Sequence, residues 1–330
     1  MTDILRPDIL RLGSAEVALP VFFPSISSVK TSLPPLEYVR LLNALPELKG
    51  KYLVSAFDLL HLGDHEREAM QRELKSALDK GTLILMDSGN YESYWKGEQS
   101  SWLQNDFHQA LKDFPCSFAF GFDEHFPPDD LHSHIKLICE RYIEDQAAAG
   151  NSTIIPIMHA SIEQLPELCL AVAEATGVSM LAVAERWLGL GIYERANTVA
   201  MIRQSLNKAD RYVGLHLLGT GNPLSKAIYT IAGADSFDGL EWCQTVVDHE
   251  TAQLHHLSHG DFYKQQTKWG ESEGISYQAW VLAHNLEFYS EWMSRLRRAC
   301  NDGDVVEFCR LHFPSQVFSH CAATFGWRVK

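Results

Sequence analysis

Short apolar runs recur along the chain, and each ends at a polar residue capable of chemistry. They are TLILMD to Asp87, FAFGFD to Asp123, STIIPIMH to His159, VSMLAVAE to Glu185, YVGLHLLG into the turn at Gly219, and DSFD to Asp238. Earlier, PVFFPSISSVK (20–30) reads as a first strand and loop, and KYLVSAFDL (51–59) as a second. The intervals are long enough for helices. EREAMQRELKSALDK precedes the run to Asp87, and LHSHIKLICERYIEDQAAAG follows Asp123 with Gly150 as its stop. Buried parallel strands read as continuous apolar runs because helices cover both sheet faces, and parallel barrels carry their working residues at the strand carboxyl ends. The pattern predicts an α/β fold, a (β/α)8 TIM barrel with a carboxylate-rich mouth.

After Asp238 the pattern changes. Residues 247–274 are rich in His, Gln and Lys and read as an insertion or small subdomain. Helical periodicity returns over 277–313, where Trp280, Leu282, Leu286, Phe288 and Trp292 supply apolar faces, and Asn301, Asp302 and Gly303 separate two helices. The predicted division is a barrel over 1–246 and a His-rich insertion with C-terminal helices, a small helical subdomain, over 247–330.

Composition adds limits. A chain of 330 residues with 46% hydrophobic positions buries a large core, and barrels commonly exceed the usual domain size. The formal charge of −14 argues against indiscriminate binding of polyanions. The arginines at 295, 297, 298 and 310 read equally well as a phosphate-holding patch and as a solvated helix face. Seven cysteines, an odd number without a C-x-x-C pair, suggest reduced thiols and a cytoplasmic protein. The first residues lack a signal pattern, and no apolar run approaches a membrane span, so no membrane partner is expected.

Asp87, in MDSGNYE, and Asp238, in GADSFDGLEW, are the two carboxylates best placed to divide labour. One, held ionised, attacks an electrophilic carbon; the other, with a raised pKa, moves protons, as in retaining glycoside chemistry. Each Asp reads equally as a helix N-cap after a strand.

ILMDSGNYE, FGFDEHFPP, IIPIMHAS, LAVAERWLGLG, HLLGTGNP with GADSFD, and AHNLEFYSEWMSRLR follow the order and approximate spacing of the tRNA-guanine transglycosylase family, which the chain resembles from about 20 to 313. The resemblance implies an irregular (β/α)8 barrel and a base exchange in which guanine leaves its ribose and a 7-deazaguanine, such as preQ0 or a derivative, takes its place. On that likeness Asp238 is the nucleophile and Asp87 the proton-transfer carboxylate. Asp123 reads the purine edge, Tyr91 and Leu218 sandwich the base, and Gly219 allows close backbone approach.

The departures are specific. Asn90 stands where the family has Gly, His159 where it commonly has Gln, and Ala184 and Glu185, followed by Arg186, where it has paired glycines; these residues are expected to alter how the base is read. The family's anticodon-gripping arginine segment is replaced by GLEWCQTVVD (239–248), which favours DNA over tRNA as the acceptor. Relatives that modify DNA or accompany defence loci fit this branch, with partner proteins of such a locus. A tRNA enzyme and a non-catalytic partner subunit are the alternatives. The family's zinc cysteines are missing, but His284 falls on the family's His ligand, and His255, His256 and His259 precede it by 25 to 29 residues. Zinc accepts imidazole in place of thiolate. A competing alignment makes LHHL part of a helix that binds no metal. No organic cofactor is expected.

Overall fold

The computed structural model describes residues 5–45, 50–123 and 127–328. Glu124, His125 and Phe126 of the FDEHFPP motif lie outside the described residues.

An antiparallel hairpin, β1 (Ile9–Leu12) and β2 (Ala15–Ala18), comes first. Strands and helices then alternate: β3 (Val21–Pro24), α1 (Pro35–Ala44), β4 (Lys51–Ser55), α2 (Ala56–Leu60), α3 (Asp64–Asp79), β5 (Leu83–Asp87), α4 (Asn90–Lys96), α5 (Gln104–Asp113), β6 (Phe118–Phe120) and α6 (Leu131–Ala149). The alternation continues with β7 (Thr153–Ile155), β8 (Ile157–Met158), α7 (Leu165–Thr176), β9 (Met180–Ala184), α8 (Ile192–Leu206), β10 (Gly214–Leu218), α9 (Pro223–Ala232), β11 (Ser236–Gly239) and α10 (Glu241–Gln244). Local chemistry explains the helix starts. Asp130 caps α6 by accepting the Ser133 N–H, and Asn222 caps α9 ahead of Pro223.

Two parallel sheets result, one in the order β4-β5-β6-β7 and the other β3-β11-β10-β9-β8. They touch on both sides. Ser25, just past β3, bridges Leu53 of β4, and the Ile26 N–H donates to the Leu53 carbonyl at 2.8 Å. Pro156 separates β7 from β8 because it has no N–H to give a ladder, yet its carbonyl accepts the Ala182 N–H at 2.9 Å.

Strand side chains alternate between two apolar layers, which is why the runs look continuously apolar. Phe23, Leu53, Leu85, Phe118, Phe120 and Ala182 share one layer with Leu10, Leu12, Val17 and Leu19 of the hairpin and its exit. Phe22, Val54, Ile84, Met86, Leu181, Val183, Leu217 and Phe237 face the helices. The hairpin lies against strand beginnings: a Cβ at Gly214 would come within 2.8 Å of Leu10, and one at Gly13 within 2.3 Å of Thr153.

Beyond α10, β12 (Thr245–Val247) and β13 (Leu254–His256) pair antiparallel, followed by 3-10 turns over Leu257–Gln266 and by α11 (Tyr277–Asp302), α12 (Val305–His312) and α13 (Ser315–Phe325). The expected boundary at 246/247 therefore falls inside β12. Leu282, Leu286, Tyr289 and Trp292 of α11 join the helix-side core of the sheets. All seven cysteines are free thiols. Among the described residues no helix is long and apolar enough to cross a membrane.

Candidate active site

Asp238 follows Phe237 in β11, so alternation turns it away from the helix layer. Its Oδ2 accepts the Ser25 hydroxyl at 2.8 Å, and its Oδ1 accepts the Gly219 N–H at 3.0 Å and lies 3.1 Å from His216 Nε2. His216 is wholly buried in β10, with Nδ1 2.7 Å from the Ser236 hydroxyl and its ring edge-on to Phe120. Both carboxylate oxygens are thus fixed by neighbours from two flanking strands, β3 and β10.

Asp87 ends β5, half-buried, with Oδ2 accepting the Gly89 N–H at 3.0 Å. Burial pushes its pKa up to about 7, the Gly89 N–H offsets part of that rise, and the charges of Asp123 and Asp238 add to it. Gly89 has φ +89°, and a Cβ there would sit 2.6 Å from the Phe57 nitrogen, so only glycine makes this turn. One helical turn on, Glu92 is buried beneath Asp87. Ser27 and Ser55 donate to its two oxygens at 2.5 and 2.6 Å. Burial raises Glu92 to about 8, with Asp58 and Asp87 contributing. Asp58, also buried, accepts the Ser28 N–H at 2.6 Å and lies 3.8 Å from Lys96. Sequence reading missed Glu92 and Asp58, although the serine-rich loop SISS supplies the donors that a buried carboxyl pair requires.

Asp123 gathers the departures from the family pattern. Ser88 Oγ donates to its Oδ1 at 3.1 Å, Asn90 Nδ2 donates to the same oxygen and to the Asp123 carbonyl, and His159 Nε2 lies 2.7 Å from Oδ2. The two unusual residues therefore orient the carboxylate expected to read the base. His159 also stands edge-on to Trp187, 6.0 Å between centroids. Behind them, buried Asp145 of α6 accepts the Phe122 N–H at 2.7 Å and is held by His108 and Gln104 of α5. This anchors the chain just ahead of Asp123.

The remaining candidates divide. Tyr91 is 37% exposed at the start of α4, and Arg186 is exposed after β9, close enough to lower the Tyr91 pKa that burial raises. Leu218 is half-buried at the end of β10, and Gly219 is exposed, with open space where a Cβ would stand. Glu185 was expected to face the base, but it shares the helix-facing parity of Leu181 and Val183. Arg195 NH1 donates to its Oε1 at 3.0 Å, Tyr229 OH at 2.8 Å, and Thr220 Oγ1 reaches Oε2 at 3.3 Å. Its charge is spent within the protein.

The segment 239–248 contributes to the core. Trp242 is fully buried and donates Nε1–H to the Ser25 carbonyl at 2.8 Å, so it supports the residue that holds Asp238. Glu241 packs against Gly221 and Gly239, where a Cβ would lie 1.8 and 2.6 Å from its Oε2. Lys226 of α9 is wholly buried. Its ammonium donates to the Gly221 carbonyl at 2.9 Å, beside the Tyr289 hydroxyl on the same oxygen, and lies 3.4 Å over the Phe22 ring. Burial drives the Lys226 pKa well below its usual value, against the pull of Glu241 and Asp238. A lysine on the apolar face of PLSKAIYTIA was the available signal.

The four histidines expected to hold zinc are not gathered. His284 is wholly buried, its Nε2 2.7 Å from the Val247 carbonyl, its ring stacked on His249, and burial lowers its pKa to about 4. His255 stacks on Tyr263, while His256 and His259 are exposed beside Ser258 and Phe262. Among the described residues no three His, Cys, Asp or Glu side chains form a metal-ligating group. As arranged, this set does not fit a shared zinc ion: a buried imidazole committed to a carbonyl is separated from solvent-facing ones.

No known protein-family profile matches this chain, and no curated protein matches it.

Proposed function

We propose that the chain is a transglycosylase that exchanges guanine in a nucleic acid, DNA in preference to tRNA, for a 7-deazaguanine. The observation that carries this reading is the pairing of a fixed carboxylate, Asp238, with a carboxyl poised near neutrality, Asp87, within electrostatic reach of one another. A carboxylate held in place by three donors beside a carboxyl that can carry a proton suits the roles of nucleophile and proton carrier. In the proposed step a lone pair of Asp238 forms a bond to the anomeric carbon. The glycosidic C–N bond breaks, its electron pair stays with guanine, and the Asp87 carboxyl supplies the proton that neutralises the departing base. The incoming base then loses a proton to the Asp87 carboxylate, bonds through nitrogen to the same carbon and frees Asp238. Asp123, aligned by Ser88, Asn90 and His159, orients the base edge, with Tyr91 and Leu218 as its walls.

A closed (β/α)8 barrel is the architecture this proposal uses. The Ser25 to Leu53 bridge and the shared Pro156 strand support it, because together they link all parallel strands in one ring order. The preference for DNA rests on α10. The segment that carries cations in the resembling family holds buried Trp242 and Cys243 here, which leaves scattered cations such as Arg141, beside Asp123 and His159, and exposed Arg186 rather than an arginine cluster. A flipped or unpaired guanine needs a pocket and a few such contacts rather than a broad basic face.

Labelled guanine incubated with duplex and single-stranded DNA and with an anticodon stem-loop, at matched salt, tests the reading. Incorporation into DNA that is lost in Asp238→Ala, together with loss of a trapped covalent adduct, is the expected result. Incorporation into tRNA alone refutes the polymer assignment, and silence on every acceptor refutes the reaction.

A further inference from the structure

A cavity lies between β3, the beginning of β4 and α11. It is an open cleft of about 580 Å³, much of which is solvent at its mouth. Phe22, Leu286 and Met293 wall it, and Lys51, Arg297 and Ser290 are polar groups on its lining. Lys51 and Arg297 are both half-buried. Among the described residues no carboxylate pairs with either: the charge that bears on Lys51 is that of Arg297 itself. Arg297 spends one N–H on the Pro20 carbonyl at 3.1 Å, which leaves most of its donor fork unused.

Two like charges held together in a partly apolar cleft repel each other and lose hydration, and the lysine shows it: burial, with Arg297 adding, brings Lys51 down to about 8. An anion between them removes both penalties. We propose that this cavity binds a small oxyanion, phosphate or carboxylate, carried on an apolar or aromatic body, with the Arg297 fork and the Lys51 ammonium gripping the oxygens and Phe22 and Met293 contacting the body. Arg and Lys bond such oxygens more strongly than neutral donors do, and a guanidinium matches their geometry. The walls are not isolated from the rest of the molecule. The Phe22 ring lies 4.9 Å from that of Tyr289, and both shelter the Lys226 ammonium on Gly221. The proposal does not depend on the base-exchange reading.

Calorimetric titration and thermal melting with inorganic phosphate, phenyl phosphate and acetate, at constant ionic strength against chloride, test it. Phenyl phosphate is expected to bind more tightly than inorganic phosphate, and Lys51→Met or Arg297→Met to weaken it about tenfold or more. Arg297→Lys, which keeps the charge and loses the fork, should fall between. Acetate binding better than phosphate would identify the source as a carboxylate and still support the site. If the methionine variants do not fold, Lys51→Gln and Arg297→Lys carry the comparison. Binding of no oxyanion beyond chloride, or equal binding by folded variants and wild type, overturns the proposal.

Discussion

Replacing Glu92 by Gln isolates the buried proton beneath the site. Glu92 is raised from 4.5 to about 8 chiefly because it is buried, and it keeps its proton through most of the neutral range in the folded protein but not in the unfolded chain. The folded state therefore binds more protons between those limits, so stability falls as pH rises from about 4.5 and levels off above about 8. That displacement of about 3.5 pH units, at about 1.4 kcal/mol each, sets a ceiling of about 5 kcal/mol. Asp58 and Asp87 share the burden, so about 2–3 kcal/mol is the expected gain for a neutral amide at high pH. Gln keeps the shape and can still meet the Ser27 and Ser55 hydroxyls. Urea denaturation of wild type and Glu92→Gln across pH 4.5 to 9 is the assay. The curves should coincide near the acid end and diverge, variant above wild type, as pH rises. A variant that is equally stable or less stable at about pH 8.5 would show that the carboxyl is ionised in the fold and that its serine bonds outweigh burial.

Three further outcomes follow from the geometry. In the proposed reaction, single-turnover adduct formation uses protonated Asp87 and should decline as pH rises through about 7, and the decline should stay in place in Glu92→Gln, because Glu92 still holds its proton when Asp87 titrates; a flat pH profile refutes Asp87 as the acid. Gly221→Ala places a Cβ 1.8 Å from Glu241 Oε2 and should cost about 1–3 kcal/mol in denaturation, with stability recovered in the Gly221→Ala, Glu241→Ala double variant if that contact is the cause. Glu185→Ala breaks the bonds to Arg195, Tyr229 and Thr220 and should lower stability by about 1–3 kcal/mol, with equal losses for all incoming bases; a changed ranking of bases would instead place its charge in the pocket.

Runs of apolar residues foretold β5 to its last residue, Asp87, and located the other strands of the parallel sheets, because a strand buried on both faces carries no polar interruption. Their ends were blurred where the apolar run continues: KYLVSAFDL passes from β4 into α2 at Ala56, and FAFGFD outlasts β6, which stops at Phe120. The hairpin of β1 and β2 was not foreseen: each strand is four residues, and Arg11 and Glu16 make it read as polar surface. Side-chain direction was the harder matter. Glu185 ends an apolar run just as Asp87 does, yet parity sends one to the helix layer and the other toward the carboxyl cluster, and parity needs a register that apolar runs do not supply. Asp145 and His108 were invisible for a different reason: their partners lie on other elements far along the chain, so no local pattern records them.

The first hairpin has a kinetic consequence under the proposed reaction. Among the described residues Leu10, Leu12 and Val17 pack at the strand beginnings like a stopper, so the proposed vessel takes its traffic at the strand carboxyl ends, its doorway. Outgoing guanine and incoming base must use it in turn, one leaving before the other enters. The sugar cannot be left as a free cation during that exchange, and the ester to Asp238 is what lets the acceptor wait. Parallel lines in double-reciprocal plots, rather than intersecting ones, are the signature such a one-door site imposes.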